Sequence, residues 1–318
     1  MGYDSIFMKQ KIMRKVMISL VPITAFAVWR FGSRVLILLC VVCAAGIAAE
    51  YASMKYFYGK NQKISEAVIV TCILYTLSLP PMVPYWVAAI GILFGLFFGK
   101  EVFGGFGKNI FNPAILGRCF IYISFPAYMT VSWMKPYTTF PGGLAAYSAG
   151  IDAFTSATPM ILMKRNMEVP SYMDMFLGNV SGSMGEMAKI LILVSAAYLV
   201  LSKTASWKLM LSCFSSFAVC SSVLYIAGII NADPLFAVLS GGFLFAVVFM
   251  VTDPVTSPSD EKSKIIYGCI IGILTVIIRN FSLFPEGMMF AILIGNMMSP
   301  LIDKKAKEYF KTKKVIST

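Results

Sequence analysis

The chain has 318 residues, 58% of them hydrophobic and only 13% charged, where soluble domains carry roughly a quarter charged residues. That density cannot solvate a globular surface, which excludes a soluble enzyme, and the net charge of +12 makes no nucleic-acid face because Lys and Arg stand in short clusters between long apolar runs. Histidine is absent, which removes Ser-His-Asp catalysis, His-ligated haem, Rieske centres and most catalytic zinc sites. From the amino end, a basic stretch, Met1 to Lys15, leads directly into apolar sequence with no small-residue cleavage site, so no signal peptide is expected. Ten stretches then approach the roughly 20 apolar residues a membrane helix needs. They are Val16–Trp29, Val35–Met54, Ile64–Leu79, Val83–Gly99, Ala114–Met134, Met187–Ser202, Leu209–Ile230, Leu235–Val251, Ile265–Ile278 and Pro285–Ile302. Pro22 interrupts the first, Pro80-Pro81 stops the third, and the polar run Gly59–Lys63 separates the second from the third.

With the amino end inside, 19 of the 27 Lys and Arg residues fall in inner segments. The positive-inside rule then sets both termini in the cytoplasm and favours an even number of spans. The fold class expected is an all-α polytopic membrane protein of about ten transmembrane helices, a single integral-membrane domain over residues 1–318. Two connectors, 99–114 and 252–264, lie on the cytoplasmic side of this scheme, and one long connector, 135–186, lies outside. The seven cysteines all sit in or beside apolar runs. Cys40-x-x-Cys43 has redox spacing, but no four-cysteine cluster motif accompanies it, and small apolar packing is the reading expected.

The inner connector Gly99-Lys-Glu-Val-Phe-Gly104-Gly105-Phe-Gly-Lys-Asn109-Ile-Phe-Asn112-Pro-Ala114 combines dense glycine with two amide side chains. Glycine lets backbone N–H groups approach a ligand, and Asn109 and Asn112 offer the donors and acceptors that a flavin or quinone edge requires. The same composition also suits a tight re-entrant turn. The outer connector holds Asp152-Ala-Phe-Thr-Ser156-Ala157-Thr158-Pro159, read as an exposed non-helical turn with an accessible hydroxyl, Asp152 either capping it or holding a divalent ion. A plain Ser/Thr turn has this composition as well. Further on, the amides of Gly178–Glu186 are expected to suit an anion, since a helix begins there.

Five pieces in order, Gly99–Ala114, Asp152–Thr158, Gly182–Glu186, Thr252-Asp253-Pro-Val-Thr256 and Phe284-Pro-Glu-Gly287, give the chain a family resemblance covering about Lys9 to Asp303. It resembles the D subunit of the Rnf complex, which shares its family with the B subunit of the Na+-translocating NADH:quinone reductase. The resemblance implies FMN joined to Thr158 through a phosphoester bond that a dedicated flavin transferase forms, with Asp152, Ser156 and Ala157 around it. Ser156 stands where the family pattern has glycine or another small residue. A second, non-covalent flavin, riboflavin or FMN, is implied near Gly104, Gly105, Asn109, Asn112 and Asp253. The D-subunit branch is expected because the B subunit usually carries an amino-terminal extension longer than Met1 to Lys15.

The resemblance therefore implies a flavoprotein subunit in the prokaryotic plasma membrane, relaying electrons in a ferredoxin:NAD+ oxidoreductase that moves Na+ or H+. Its partners would be the iron–sulfur and flavin subunits, the flavin transferase and membrane lipid, with no nucleic acid. Two competing readings are a secondary transporter or channel and a structural anchor without cofactor. The intramembrane charges Glu50, Glu66, Arg118 and Arg279 motivate the transporter, although all but Arg118 sit near expected span ends, where snorkelling to the interface would relieve them.

Overall fold

A computed structural model describes residues 7–57, 63–139, 141–147, 157–282, 284 and 286–316, without the side chains of 145 and 310–316. Helices carry the whole framework of the described residues. Two-residue strands β1 (Phe7–Met8) and β2 (Ile64–Ser65) pair in parallel and pin the amino end beside the third span. The first five expected spans appear as α1 (Lys11–Phe31), α2 (Arg34–Phe57), α3 (Ala67–Leu77), α4 (Tyr85–Gly99) and the pair α5 (Pro113–Ser124) and α6 (Pro126–Val131). Short helices α7 (Pro159–Lys164) and α8 (Tyr172–Leu177) lie within the long connector. The last five spans are α9 (Lys189–Leu201), α10 (Trp207–Ile226), the pair α11 (Pro234–Leu239) and α12 (Phe243–Phe249), α13 (Glu261–Phe281) and α14 (Gly287–Ile316).

Among the described residues, five helical stretches are long and apolar enough to cross a membrane, namely α1, α2, Tyr85–Phe103, α10 and α13, while α3, α5 and α9 are shorter apolar helices. The chain is a polytopic all-α membrane protein. Its outward side chains fit hydrocarbon and not water: Leu201 and Ile226 are 83% and 84% exposed.

Three expectations change. Pro22 does not interrupt the first span, since α1 continues through it; a proline deletes one backbone hydrogen bond, and a helix of 21 residues keeps the rest. The span expected over Ala114–Met134 breaks at Phe125 (φ −130°, ψ 54°), because Pro126 cannot continue the α5 hydrogen-bond ladder. That expected over Leu235–Val251 breaks at Ser240-Gly241-Gly242, where Gly241 has φ +62°, a left-handed backbone that glycine adopts without a Cβ penalty.

Small residues bring the long helices together, as expected where lipid tails remove the hydrophobic drive between them. A Cβ on Gly95 of α4 would lie 2.3 Å from the Pro113 carbonyl oxygen of α5, and one on Gly268 of α13 would lie 2.0 Å from Ser212 Oγ of α10. The long connector is tethered to helix ends. Arg30, at the end of α1, donates to the Tyr137 carbonyl (2.7 Å), the Leu177 carbonyl (3.0 Å) and Asn179 Oδ1 (2.8 Å). Tyr172 bonds Asp233, which caps α11, and Lys164 Nζ donates to the Ser282 carbonyl at 2.9 Å, just past α13.

Candidate functional site

Two cavities carry most of the chemistry, and α3, α5 and α12 each contribute to both walls or their margins. The first encloses about 800 Å³ including its open mouth, a size suited to a cofactor. Both helix breaks border it: Met129, Thr130 and Trp133 come from the α6 side, and Gly241 and Gly242 from the gap between α11 and α12. Thr158 lines the same cavity. It occupies the position before α7, with Pro159 next, and its side chain makes no capping hydrogen bond.

The exposed hydroxyl expected from sequence is corrected here, because Thr158 is buried, only 8% accessible. The connector folds back over the bundle, held at Lys164 and Arg30, and carries Thr158 into the interior. Ala157 is half-buried beside it, whereas Asp152 and Ser156 lie outside the described residues.

Charged groups line the same cavity as Thr158. Arg118 of α5 forms an ion pair with Glu286. Arg279 of α13 is 2% exposed; its Nη1 donates to the Ala237 carbonyl at 2.7 Å and its guanidinium lies 5.5 Å from the Phe217 ring centre. Glu186 accepts from the Ser183 amide at 2.9 Å and from Ser183 Oγ at 2.7 Å. The anion held by this Gly/Ser turn is therefore the chain's own carboxylate, which corrects the external anion expected at 178–186. Arg118 Nε, Arg279 Nε and Trp133 Nε1 are buried donors with no hydrogen-bond partner among the described residues. A wall of unsatisfied donors fits an acceptor-rich anionic group.

The snorkelling expected of Glu50, Glu66 and Arg279 is corrected too. Glu50 pairs with Lys100 at 2.6 Å, both almost fully buried, and Glu66, with no exposure, binds Arg14. Both carboxylates turn inward because a cation waits there. Trp133 and Lys189 carry no local pattern that distinguishes them, and sequence reasoning missed both. Glu186 and Glu286 stood inside the family-like pieces without an assigned task.

The second cavity, about 650 Å³ with its mouth, is lined by Asn109, Asn112, Asp253 and apolar side chains including Leu74, Phe106 and Phe249. Asn112 has a structural task. Its Oδ1 accepts the Ala114 and Ile115 amides at 3.0 and 3.3 Å, capping α5, and its Nδ2 donates to Asp253 Oδ2 at 3.1 Å. Asp253 also accepts from the Val255 amide and Thr256 Oγ1, both at 3.1 Å. Burial pushes the Asp253 carboxyl up, against the pull of these three hydrogen bonds. The two inner connectors are thus buckled together, which no spacing announced. Asn109 Oδ1 is a buried acceptor without a partner among the described residues, and it fits a ring N–H over an apolar platform. Gly104 and Gly105 do not join this group. They have φ of +113° and +82° and line a separate cavity with Glu50, Lys63 and Glu101.

The sequence pattern of the NQR2, RnfD, RnfE family matches residues 6–311. The chain is 38% identical over 256 residues to the B subunit of the Na(+)-translocating NADH-quinone reductase of Chromohalobacter salexigens, covering 77% of this chain and 59% of that protein. Identity to the proteins of the same description is 38% over 255 residues in Azotobacter vinelandii and 37% over 257 residues in Pseudomonas aeruginosa, covering 77% of this chain and 60% of each. The chain spans about three-fifths of the length of these curated relatives.

Proposed function

The chain belongs to the NQR2, RnfD, RnfE family as a multi-pass protein of the prokaryotic plasma membrane, and from that premise we propose that it is the flavin-carrying relay subunit of a redox-driven, ion-translocating oxidoreductase. One observation carries this reading. Two cavities with complementary chemistry lie against the same short helix, α12: Phe245 and Ala246 wall the Thr158 cavity, while Val248 and Phe249 wall the Asn109 cavity. A helix of seven residues is about 10 Å long, so groups held in the two cavities stand close enough for electrons to pass.

In this reading Thr158 Oγ1 carries FMN through a phosphoester formed by a flavin transferase, and the second cavity takes riboflavin or FMN without a covalent bond. A bound flavin accepts two electrons together and releases them singly. The chain's own residues do the rest. Arg118, Arg279 and Trp133 supply donors at Thr158, Asn109 supplies an acceptor at the other cavity, and the Asn112–Asp253 bond fixes the inner wall. The apolar linings exclude water and lower the local dielectric.

Other subunits must deliver and remove electrons. The D-subunit branch, a ferredoxin:NAD+ oxidoreductase moving Na+ or H+, is the expectation from the sequence pieces. The B-subunit branch, reducing quinone with NADH, is favoured by the descriptions of the relatives. Membranes containing the assembled complex separate them: NAD+ reduction by reduced ferredoxin supports the first, and quinone reduction by NADH supports the second. For the flavin itself, the wild-type band should fluoresce after denaturing electrophoresis and the Thr158→Ala band should not, with acid-extractable flavin retained in both. A dark wild-type band from a complex made with the transferase would defeat the reading and leave a transporter or anchor.

A further inference from the structure

Every buried cation should meet an anion or leave a cost behind, since an unpaired charge in a low-dielectric interior is among the least favourable arrangements available to a chain. The wall of the Thr158 cavity breaks this rule at one residue. Arg118 has Glu286 as its ion-pair partner. Glu186 directs both carboxylate oxygens to Ser183, and the fully buried Lys189 bonds the Glu186 backbone carbonyl at 2.5 Å. Arg279 meets a carbonyl and a ring face, and no carboxylate lies within 4.0 Å of it among the described residues. Arg118, Arg279, Glu186 and Glu286 are the charged residues of the cavity lining, and of its two guanidiniums only Arg118 has an ion-pair partner among the described residues.

A glycine turn stands at ordinary contact distance from this guanidinium. Gly241 takes a left-handed φ of +62°, and a Cβ there would stand 3.4 Å from Arg279 Nη2. Arg279, its Nε buried and partnerless among the described residues, belongs to the cavity that Thr158 lines. Their elements meet where Lys164, at the end of α7, donates to the Ser282 carbonyl, three residues beyond Arg279. A planar guanidinium with donors to spare matches the non-bridging oxygens of a phosphate.

We propose that Arg279 is the counter-cation of the flavin phosphodiester at Thr158. The inference rests on the flavoprotein reading above and deepens it: the ester carries one negative charge, and Arg279 is a buried guanidinium of the same cavity with no carboxylate within 4.0 Å among the described residues. Arg279 is a positioning residue here and would supply its guanidinium donors to the non-bridging phosphate oxygens. The unmodified protein then keeps a buried guanidinium without a direct ion pair, and attachment of the flavin supplies one.

The test is a thermodynamic cycle on the assembled complex, purified from cells with and without the flavin transferase. In the wild type, flavin attachment should raise the melting temperature by about 5 °C, the scale of a modest stability change in a chain of this size. In Arg279→Gln the unmodified form should melt higher than unmodified wild type, and the gain on attachment should fall by at least half. Equal gains in wild type and Arg279→Gln, with both bands fluorescent, would overturn the pairing while leaving the flavin reading intact. A non-fluorescent wild-type band would overturn both. Should Arg279→Gln not assemble, Arg279→Lys decides, because it keeps the charge and loses the fork: the ³¹P resonance of the ester should move from its wild-type position at unchanged flavin content, and an unmoved resonance would count against the pairing.

Discussion

At the scale of single residues, the ionisable groups within the bundle are held by partners and not by access to water. The Arg118–Glu286 pair joins α5 to the turn before α14, with side chains 12% and 18% exposed. Removing one member leaves the other buried and uncompensated, which costs about 3–5 kcal/mol in such settings. Arg118→Gln and Glu286→Gln should each lower the melting temperature of the detergent-solubilised complex clearly. The double variant should recover part of the loss, and strict additivity of the two losses would show that the residues do not act as a pair. Arg118→Lys is no substitute, since an ammonium lacks the planar fork. Sequence marked Arg118 as an intramembrane charge but could not name its partner, because Glu286 lies 168 positions away and only folding brings it near.

At the scale of elements, the apolar runs mark every helix of the framework, yet two runs hold two short helices each. Composition cannot distinguish one helix from two when the break uses only Phe125-Pro126 or Ser240-Gly241-Gly242, because each residue there is also tolerated within membrane helices. Those two breaks border the Thr158 cavity, where irregular backbone is acceptable because protein and not lipid surrounds it. The seam between α4 and α5 shows the opposite case, a close contact set by small residues. Gly95→Ala would press a methyl against the Pro113 carbonyl and the Gly117 backbone, neither of which can rotate away. Forced separation of the helices should cost about 1–3 kcal/mol, read as a lower melting temperature and broader size-exclusion peak. Since Asn112 caps α5 at that seam and bonds Asp253, flavin extractable by acid should fall as well. An unchanged melting temperature would mean that the seam yields more easily than its geometry implies.

At the scale of the molecule, the tethers gather at two ends. Arg30, Lys164 and Tyr172 tie the long connector at one, and Lys15–Ser202, Asn112–Asp253 and Ser259–Asp303 bind the short connectors at the other. Reporter fusions should read cytoplasmic at Lys305 and extracytoplasmic after Gly150; the reverse pair of signals would invert the orientation drawn from the basic residues. By itself the sequence determined the solvent, the helical class and the pieces that mark the family, because each of these depends on composition, local periodicity or residues adjacent in the chain. It also singled out Thr158, Asn109 and Asn112. Tertiary structure alone decided that Thr158 is buried, that Asn112 is committed to Asp253, that Gly104 and Gly105 line a different cavity, and that Arg279 shares a cavity with Thr158 and has no carboxylate beside it among the described residues. The reason is physical: burial and charge balance are sums over neighbours from distant parts of the chain, and no local pattern contains those sums.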